Sequence, residues 1–164
     1  MQIADQLAIQ GKDVLIISLE MARTELIAKS ISRLTAIKTL EEGGKTENIK
    51  TSRGITEGKR YQDYNKEEIG LIKGSITEYS KYANHLYIHE GVGDIGATEV
   101  KNLVEEHKRY TGNAPIVIID YLQILAPYDI RATDKQNTDK AVIELKRMSR
   151  DYKTTVIGIS SFNR

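Results

Sequence analysis

Two acidic residues stand where buried strands run out. Asp120 closes the run IVIID after four consecutive aliphatic residues, Ile116 to Ile119, and Glu20 follows VLIISL, Val14 to Leu19. A carboxylate at the end of a buried strand can hold Mg²⁺, directly or through water, beside the phosphates of a nucleotide. A second carboxylate at the same sheet edge can orient or deprotonate an attacking water. Taken singly, each also has a structural explanation: an Asp satisfies turn amides, and a Glu ahead of a helix is favoured by the helix dipole. Taken together they suggest a site for phosphate hydrolysis.

Two stretches imitate phosphate-binding loops. TLEEGGKT, Thr39 to Thr46, ends like G-x-x-x-x-G-K-[ST], but Thr39 occupies the first glycine position. Glu41 and Glu42 would turn negative charge toward a phosphate, and helical sequence precedes the stretch where the motif needs a strand. It is rejected. GVGDIG, Gly91 to Gly96, is a literal G-x-G-x-x-G between a strand and a helix, and Asp120 lies at about the distance of a ribose-binding acid. Glu90 and Asp94 would repel a pyrophosphate, and three glycines at a turn have an ordinary explanation in backbone freedom. A dinucleotide site using Gly91, Gly93 and Gly96 is kept as an alternative.

His85 and His89 have the zinc spacing of a helix, but HLYIH reads as a strand, which separates the two side chains by roughly 13 Å at about 3.3 Å per residue. A shared metal is not expected, and His107 stands alone on a helix face. The segment APYDIRATDKQN, Ala126 to Asn137, reads as a mobile loop after the Asp120 strand. Arg131 and Lys135 could meet a phosphate backbone there, and Tyr128 could stack on a base, although Asp129 and Asp134 alternate with them.

These residues need a scaffold. With 164 residues, 40% of them hydrophobic and 29% charged, the chain can build one domain with a real core. Lys and Arg number 24 against 23 Asp and Glu, so any nucleic-acid surface must be local. The absence of cysteine excludes disulfides and thiolate metal sites and suits the cytoplasm. The N-terminus does not read as a signal peptide, with Asp5 ahead of any apolar run. No segment approaches the roughly 20 apolar residues of a membrane span. Buried strands are expected at Val14 to Leu19, His85 to Glu90, Pro115 to Asp120 and Thr154 to Ser160. Helical periodicity falls between them, and Lys38 to Gly58 reads as a surface loop with at most a short helix. Continuous apolar strands alternating with helices predict an α/β fold, a mostly parallel sheet covered on both faces. Its strand C-terminal ends then share one edge, where ligands bind in such sheets.

Three stretches, in order, resemble the C-terminal RecA-like ATPase domain of DnaB-type replicative helicases. VLIISLEM resembles that family's strand ending in Ser-Leu-Glu-Met, and IVIIDYLQIL resembles its Walker B segment. AVIELKRMSRDYKTTVIGISSFNR resembles its Leu-Lys helix and the strand ending near Ser-Gln-Leu-Asn-Arg. The resemblance covers nearly all 164 residues as one partial domain. It implies a RecA-like P-loop NTPase core, incomplete at both ends, from a homohexameric, ATP-driven motor that translocates on single-stranded DNA. A primase and a helicase loader are implied as further partners. By the same resemblance Glu20 is the catalytic base, Asp120 supports Mg²⁺, and Ser161 stands where the family has a sensor Gln. Arg131 and Lys135 become DNA contacts on a channel loop. No Walker A loop stands in this chain, whose opening helix resembles the one that follows that loop. The expectation is therefore a truncated helicase domain, inactive alone. The alternative from another class is a noncatalytic RecA-like adapter that binds a helicase or loader through an exposed sheet edge.

Overall fold

The computed structural model describes residues 1–91 and 95–160. Four strands form one sheet: β1 (Val14–Ser18), β2 (Leu86–Glu90), β3 (Ile116–Asp120) and β4 (Val156–Gly158). Their spatial order is β2-β1-β3-β4, and every pairing is parallel. The main helices are α1 (Gln2–Ile9), α2 (Arg23–Glu41), α3 (Ser52–Thr56), α4 (Lys66–Ser80), α5 (Ala97–Thr111) and α6 (Asp134–Asp151).

Both sheet faces are covered, which is why the central strands read as unbroken apolar runs. Leu15 and Ile17 of β1 and Val117 and Ile119 of β3 pack with Val100 and Val104 of α5 and Leu145 and Met148 of α6. The alternate residues, Val14, Ile16 and Ile118, join Ile88 of β2 against Ala4 of α1 and Leu26 of α2. Each fully buried Val, Leu or Ile contributes about 1.5–3 kcal/mol relative to its exposed state. The last strand is shorter than the sequence suggests, three residues rather than seven.

The largest difference from the sequence reading lies between Lys38 and Gly58. Helix α2 runs on to Glu41, and α3 and two 3₁₀ turns, Thr46–Asn48 and Gly58–Gln62, follow. This segment is anchored by Lys50, which is buried although it is a lysine. Its backbone N–H donates to the Thr35 hydroxyl at 3.1 Å, and its carbonyl accepts from the Ser32 hydroxyl at 2.6 Å. Its ammonium pairs with Glu68 of α4 and lies 4.6 Å from the Tyr64 ring centroid. A buried charge must be paired, and this pairing folds the polar segment onto α2 and α4. Hydrophobic periodicity carries no trace of it.

The same pair makes the region acid-sensitive. The hydrogen bond from Lys50, followed by that from the Asn65 amide, holds the Glu68 carboxyl below its ordinary value. A depressed folded-state pKa stabilises above the unfolded pKa, about 4.3 for Glu, and that stability is lost as pH falls through the folded value. Hydrogen exchange at the α4 N-terminus should therefore accelerate below about pH 4. In Glu68→Gln that acid step should vanish, and its persistence would locate the acid-sensitive group elsewhere.

Candidate functional site

The strand order decides which acids become neighbours. Ser18, the last residue of β1, is in register with Asp120 on one side and Glu90 on the other. The Leu19 amide donates to the Asp120 carbonyl at 3.0 Å, so the chain leaves β1 alongside β3 and carries Glu20 out two residues past Ser18. Glu20 is exposed and Asp120 half-buried. The two expected site residues thus share the C-terminal edge of adjacent strands.

The turn bearing Glu20 is held by Ser18, Arg23 and Glu25, none of which stands out in the sequence, and by the strand-end acid Glu90. The Ser18 hydroxyl donates to the Met21 carbonyl at 2.6 Å and accepts from the Met21 amide at 3.3 Å, closing the loop around Glu20. Glu90 accepts the Arg23 amide at 2.6 Å, placing a carboxylate at the start of α2, where the helix dipole favours it. The Arg23 guanidinium donates to the Ile88 carbonyl at 2.7 Å, and Glu25 accepts the Ala22 amide at 3.1 Å. Only the spacing of Glu25 from Ala22, that of a capping box without its usual Ser or Thr, hints at this in the sequence. A cleft of about 330 Å³ opens beside the turn, lined by Leu19, Glu20, Met21, Glu90 and Gly91. Asp120 lies outside that lining, on the β3 side.

The peptide bond after Asp120 is cis. Beyond it, the Leu122 amide donates to the Ile159 carbonyl at 2.9 Å, and the Gln123 amide group donates to the Ser160 hydroxyl at 2.8 Å. Leu122 also lies against Gly158, where an added Cβ would come within 2.8 Å of Leu122 Cδ1. The turns after β3 and β4 are therefore tied together. Ser161, the expected sensor position, lies outside the described residues.

Neither phosphate-loop imitation forms a phosphate cradle in the described residues. Gly43, at φ +66°, ends α2, and the Gly44 amide bonds back to the Thr39 carbonyl at 2.8 Å. That is a helix C-terminal turn. In GVGDIG, the Gly96 amide at the start of α5 is already taken by the Glu99 carboxylate at 2.9 Å. Gly91 lies against Ile95, whose Cδ1 would stand 2.5 Å from an added Cβ and would have to shift. Gly93 lies outside the described residues.

Two of the histidines lie away from this edge. His85 Nδ1 and His107 Nε2 lie 2.7 and 3.0 Å from the two oxygens of Asp13, just before β1, at the opposite end of the sheet. His107 also meets the Tyr87 ring edge-on. His107 is thus not alone, as its isolated position in the sequence suggests. Among the described residues no group of three or more His, Cys, Asp or Glu side chains could hold a metal ion.

Arg131 and Lys135 lie exposed on the loop leading into α6 and its first turn. The loop is pinned: the Asp129 amide donates to Asn137 Oδ1 at 3.0 Å, and Asn137 Nδ2 donates to the Asp129 carbonyl at 2.9 Å. The Asp129 carboxylate accepts the Arg131 amide at 2.8 Å. Tyr128 carries the Lys140 ammonium 3.0 Å from its ring centroid. Among the described residues no helix is long and apolar enough to cross a membrane.

A sequence model of the family described as "DnaB-like helicase C terminal domain" matches residues 1–164. Among solved structures, the chain is similar to "The Structure Of A DnaB-Like Replicative Helicase And Its Interactions With Primase", at 25% identity and TM-score 0.79. That match covers 98% of this chain and 34% of the other. It also shares the fold of a second solved structure, described as an "ATPase Domain", at 22% identity and TM-score 0.77, covering 98% of this chain and 51% of that one. The chain thus spans about a third and about half of these two structures. No curated protein matches it.

Proposed function

Because the chain belongs to the DnaB-like helicase C-terminal domain family, we propose that it is part of the motor of a replicative DNA helicase. In this reading the motor is a cytoplasmic homohexamer that couples ATP hydrolysis to translocation on single-stranded DNA and to duplex unwinding. A primase and a loader are its further partners, and residues 1–164 act as one partial RecA-like domain. The observation that carries the reading is the register that sets Asp120 beside Ser18 and the Glu20 turn at one sheet edge.

The donor set there suits Mg²⁺ in kind, because carboxylate oxygens are its preferred protein ligands. When bound with ATP, the metal supplies neutralisation of phosphate charge. Asp120 is the residue that would support it, directly or through water. Glu20 is poised to accept a proton from an attacking water, since its carboxylate enters no ion pair among the described residues. Ser18, Glu90 and Arg23 hold the turn that aims it.

The 164 residues contain no G-x-x-x-x-G-K-[ST]. A nest of loop amides and its lysine supplies most of the grip on phosphates in P-loop enzymes. Calorimetric titration of the isolated chain with Mg²⁺–ATP should therefore give no saturable heat, with or without Asp120→Ala. Saturable binding lost in Asp120→Ala would show that the half-site suffices. Robust, Glu20-dependent hydrolysis by the isolated chain would contradict the proposal of inactivity.

One observation favours the adapter as a second reading. Val117 donates to the Thr155 carbonyl and Ile159 to the Ile119 carbonyl, so the backbone groups of Val156 and Gly158 face the open edge of the sheet. Beside them lies an apolar groove of about 270 Å³ lined by Leu122, Val142, Leu145 and Val156. At the other edge, Arg23 covers the outward Ile88 carbonyl, a form of edge protection. An in-frame G-x-x-x-x-G-K-[ST] in the coding DNA ahead of Met1 would support the motor, and its absence would support the adapter.

A further inference from the structure

Ile130 is the most exposed of the large apolar residues described, at 89%, and it sits at the tip of the loop that carries Arg131. Single exposed apolar side chains are common. This one is distinguished by how it is held. Asn137 grips the loop through both the amide and the carbonyl of Asp129, and the Asp129 side chain folds inward onto the Arg131 amide. The Ala132 amide returns to the Asp129 carbonyl at 3.1 Å, and Thr133 caps α6 through the Gln136 amide. The tip is thus prefolded around an isoleucine that points into solvent, so little conformational freedom remains to be lost on binding.

The surroundings narrow the choice of ligand. The Asp129 carboxylate keeps its charge but is turned inward, with one oxygen on the Arg131 amide. Arg131 and Lys135 enter no ion pair among the described residues. Tyr128, the aromatic residue that the sequence offers for stacking, is 69% exposed but has one ring face covered by the Lys140 ammonium. The most exposed apolar group is an aliphatic wedge beside two unpaired cations, Arg131 and Lys135, with Asp129 and Asp134 interleaved. The matching ligand has flat apolar faces within reach of regularly spaced negative charges. A single strand of nucleic acid has both; a duplex buries its base faces, and an acidic peptide has no such faces.

Building on the reading that this loop contacts DNA, we propose that Ile130 is the base-contacting residue of a single-strand site. Its side chain packs against an unstacked base while Arg131 and Lys135 take the adjoining phosphates. The contact reads no sequence, because every base has an apolar face.

The test is a chemical-shift titration of the isotope-labelled chain with a short oligothymidylate, with a DNA duplex and with a polyglutamate peptide. The oligothymidylate should shift the amides of residues 128–137, the loop and the first turn of α6, and bind more tightly than the other two. Ile130→Ser should weaken it about tenfold, the effect of losing roughly one buried aliphatic contact. That substitution should leave the salt dependence unchanged, and Ile130→Leu should restore affinity. Arg131→Ala and Lys135→Ala should each lower the slope of log affinity on log salt by about 1. If Ile130→Ser binds like the parent while the cation variants weaken binding, the wedge is wrong and the DNA-loop reading stands. If the cation variants change nothing, or the loop amides do not move, that reading falls and the wedge falls with it. Equal binding of the duplex or the peptide overturns the single-strand assignment alone.

Discussion

Glu20→Gln, tested with the chain joined behind a phosphate-binding loop segment, should slow ATP turnover by about 10²- to 10⁴-fold, the range that a positioned general base contributes. Mg²⁺–ATP affinity should change little. Gln preserves the size of the side chain but cannot take a proton from water. The substitution is also structurally mild, because the turn is held by the Ser18 hydroxyl, Glu90 and Glu25 rather than by the Glu20 carboxylate. Asp120→Asn should behave differently, losing Mg²⁺-dependent binding as well as turnover. Single-turnover hydrolysis alongside equilibrium binding separates the two. An undiminished rate for Glu20→Gln would remove this residue from the chemistry and leave the base to be sought elsewhere on the same edge.

The largest loss of stability is expected from Asp5→Ala, about 3–5 kcal/mol, the cost of stranding one partner of a buried ion pair. Asp5 is fully buried between α1 and α2. One carboxylate oxygen accepts from the Ser30 hydroxyl at 2.9 Å, and the other meets Arg33 Nη2 at 2.9 Å. The surroundings are dry enough that burial, with the Asp5 charge nearby as the next cause, pushes the Tyr82 hydroxyl up to about 12. Neither that hydroxyl nor Arg33 Nε has a hydrogen-bond partner among the described residues. Alanine at position 5 would leave the Arg33 guanidinium uncompensated at this site. A domain of this kind has only about 5–15 kcal/mol in total, so urea unfolding should show a much lower midpoint with an unchanged slope. Adding Arg33→Met to Asp5→Ala should recover part of the loss, because it removes the stranded charge. A loss below about 1 kcal/mol, the range of surface ion pairs, would mean that solvent reaches the pair and that α1 is only loosely seated.

Local patterns were enough to read the scaffold. Continuous aliphatic runs mark buried strands, helical periodicity marks the segments between them, and alternation of the two implies a parallel sheet with its ends on one edge. The same runs locate Asp120 and Glu20, because a carboxylate interrupting a buried run is conspicuous without knowing its neighbours. Motif order in those stretches also carried the family.

Partnerships between distant residues were decided by tertiary structure alone. Four strand-end positions lie on one edge, but the order β2-β1-β3-β4 puts Asp120 next to the Glu20 turn and makes Glu90 a partner for Arg23, 67 residues away. Lys50 reads as one more solvated lysine until Thr35 and Glu68 close around it. His107 reads as an isolated helix residue until Asp13, 94 residues earlier, meets it at the far end of the sheet. On the loop before α6, Tyr128 is the obvious base platform by composition, yet Lys140 covers one face of its ring and Ile130 is the more exposed side chain. Burial and periodicity act on neighbours along the chain and so leave a record in its order. Charge pairing and hydrogen bonding across the sheet depend on which segments the crossovers bring together, and the linear sequence holds no local mark of that.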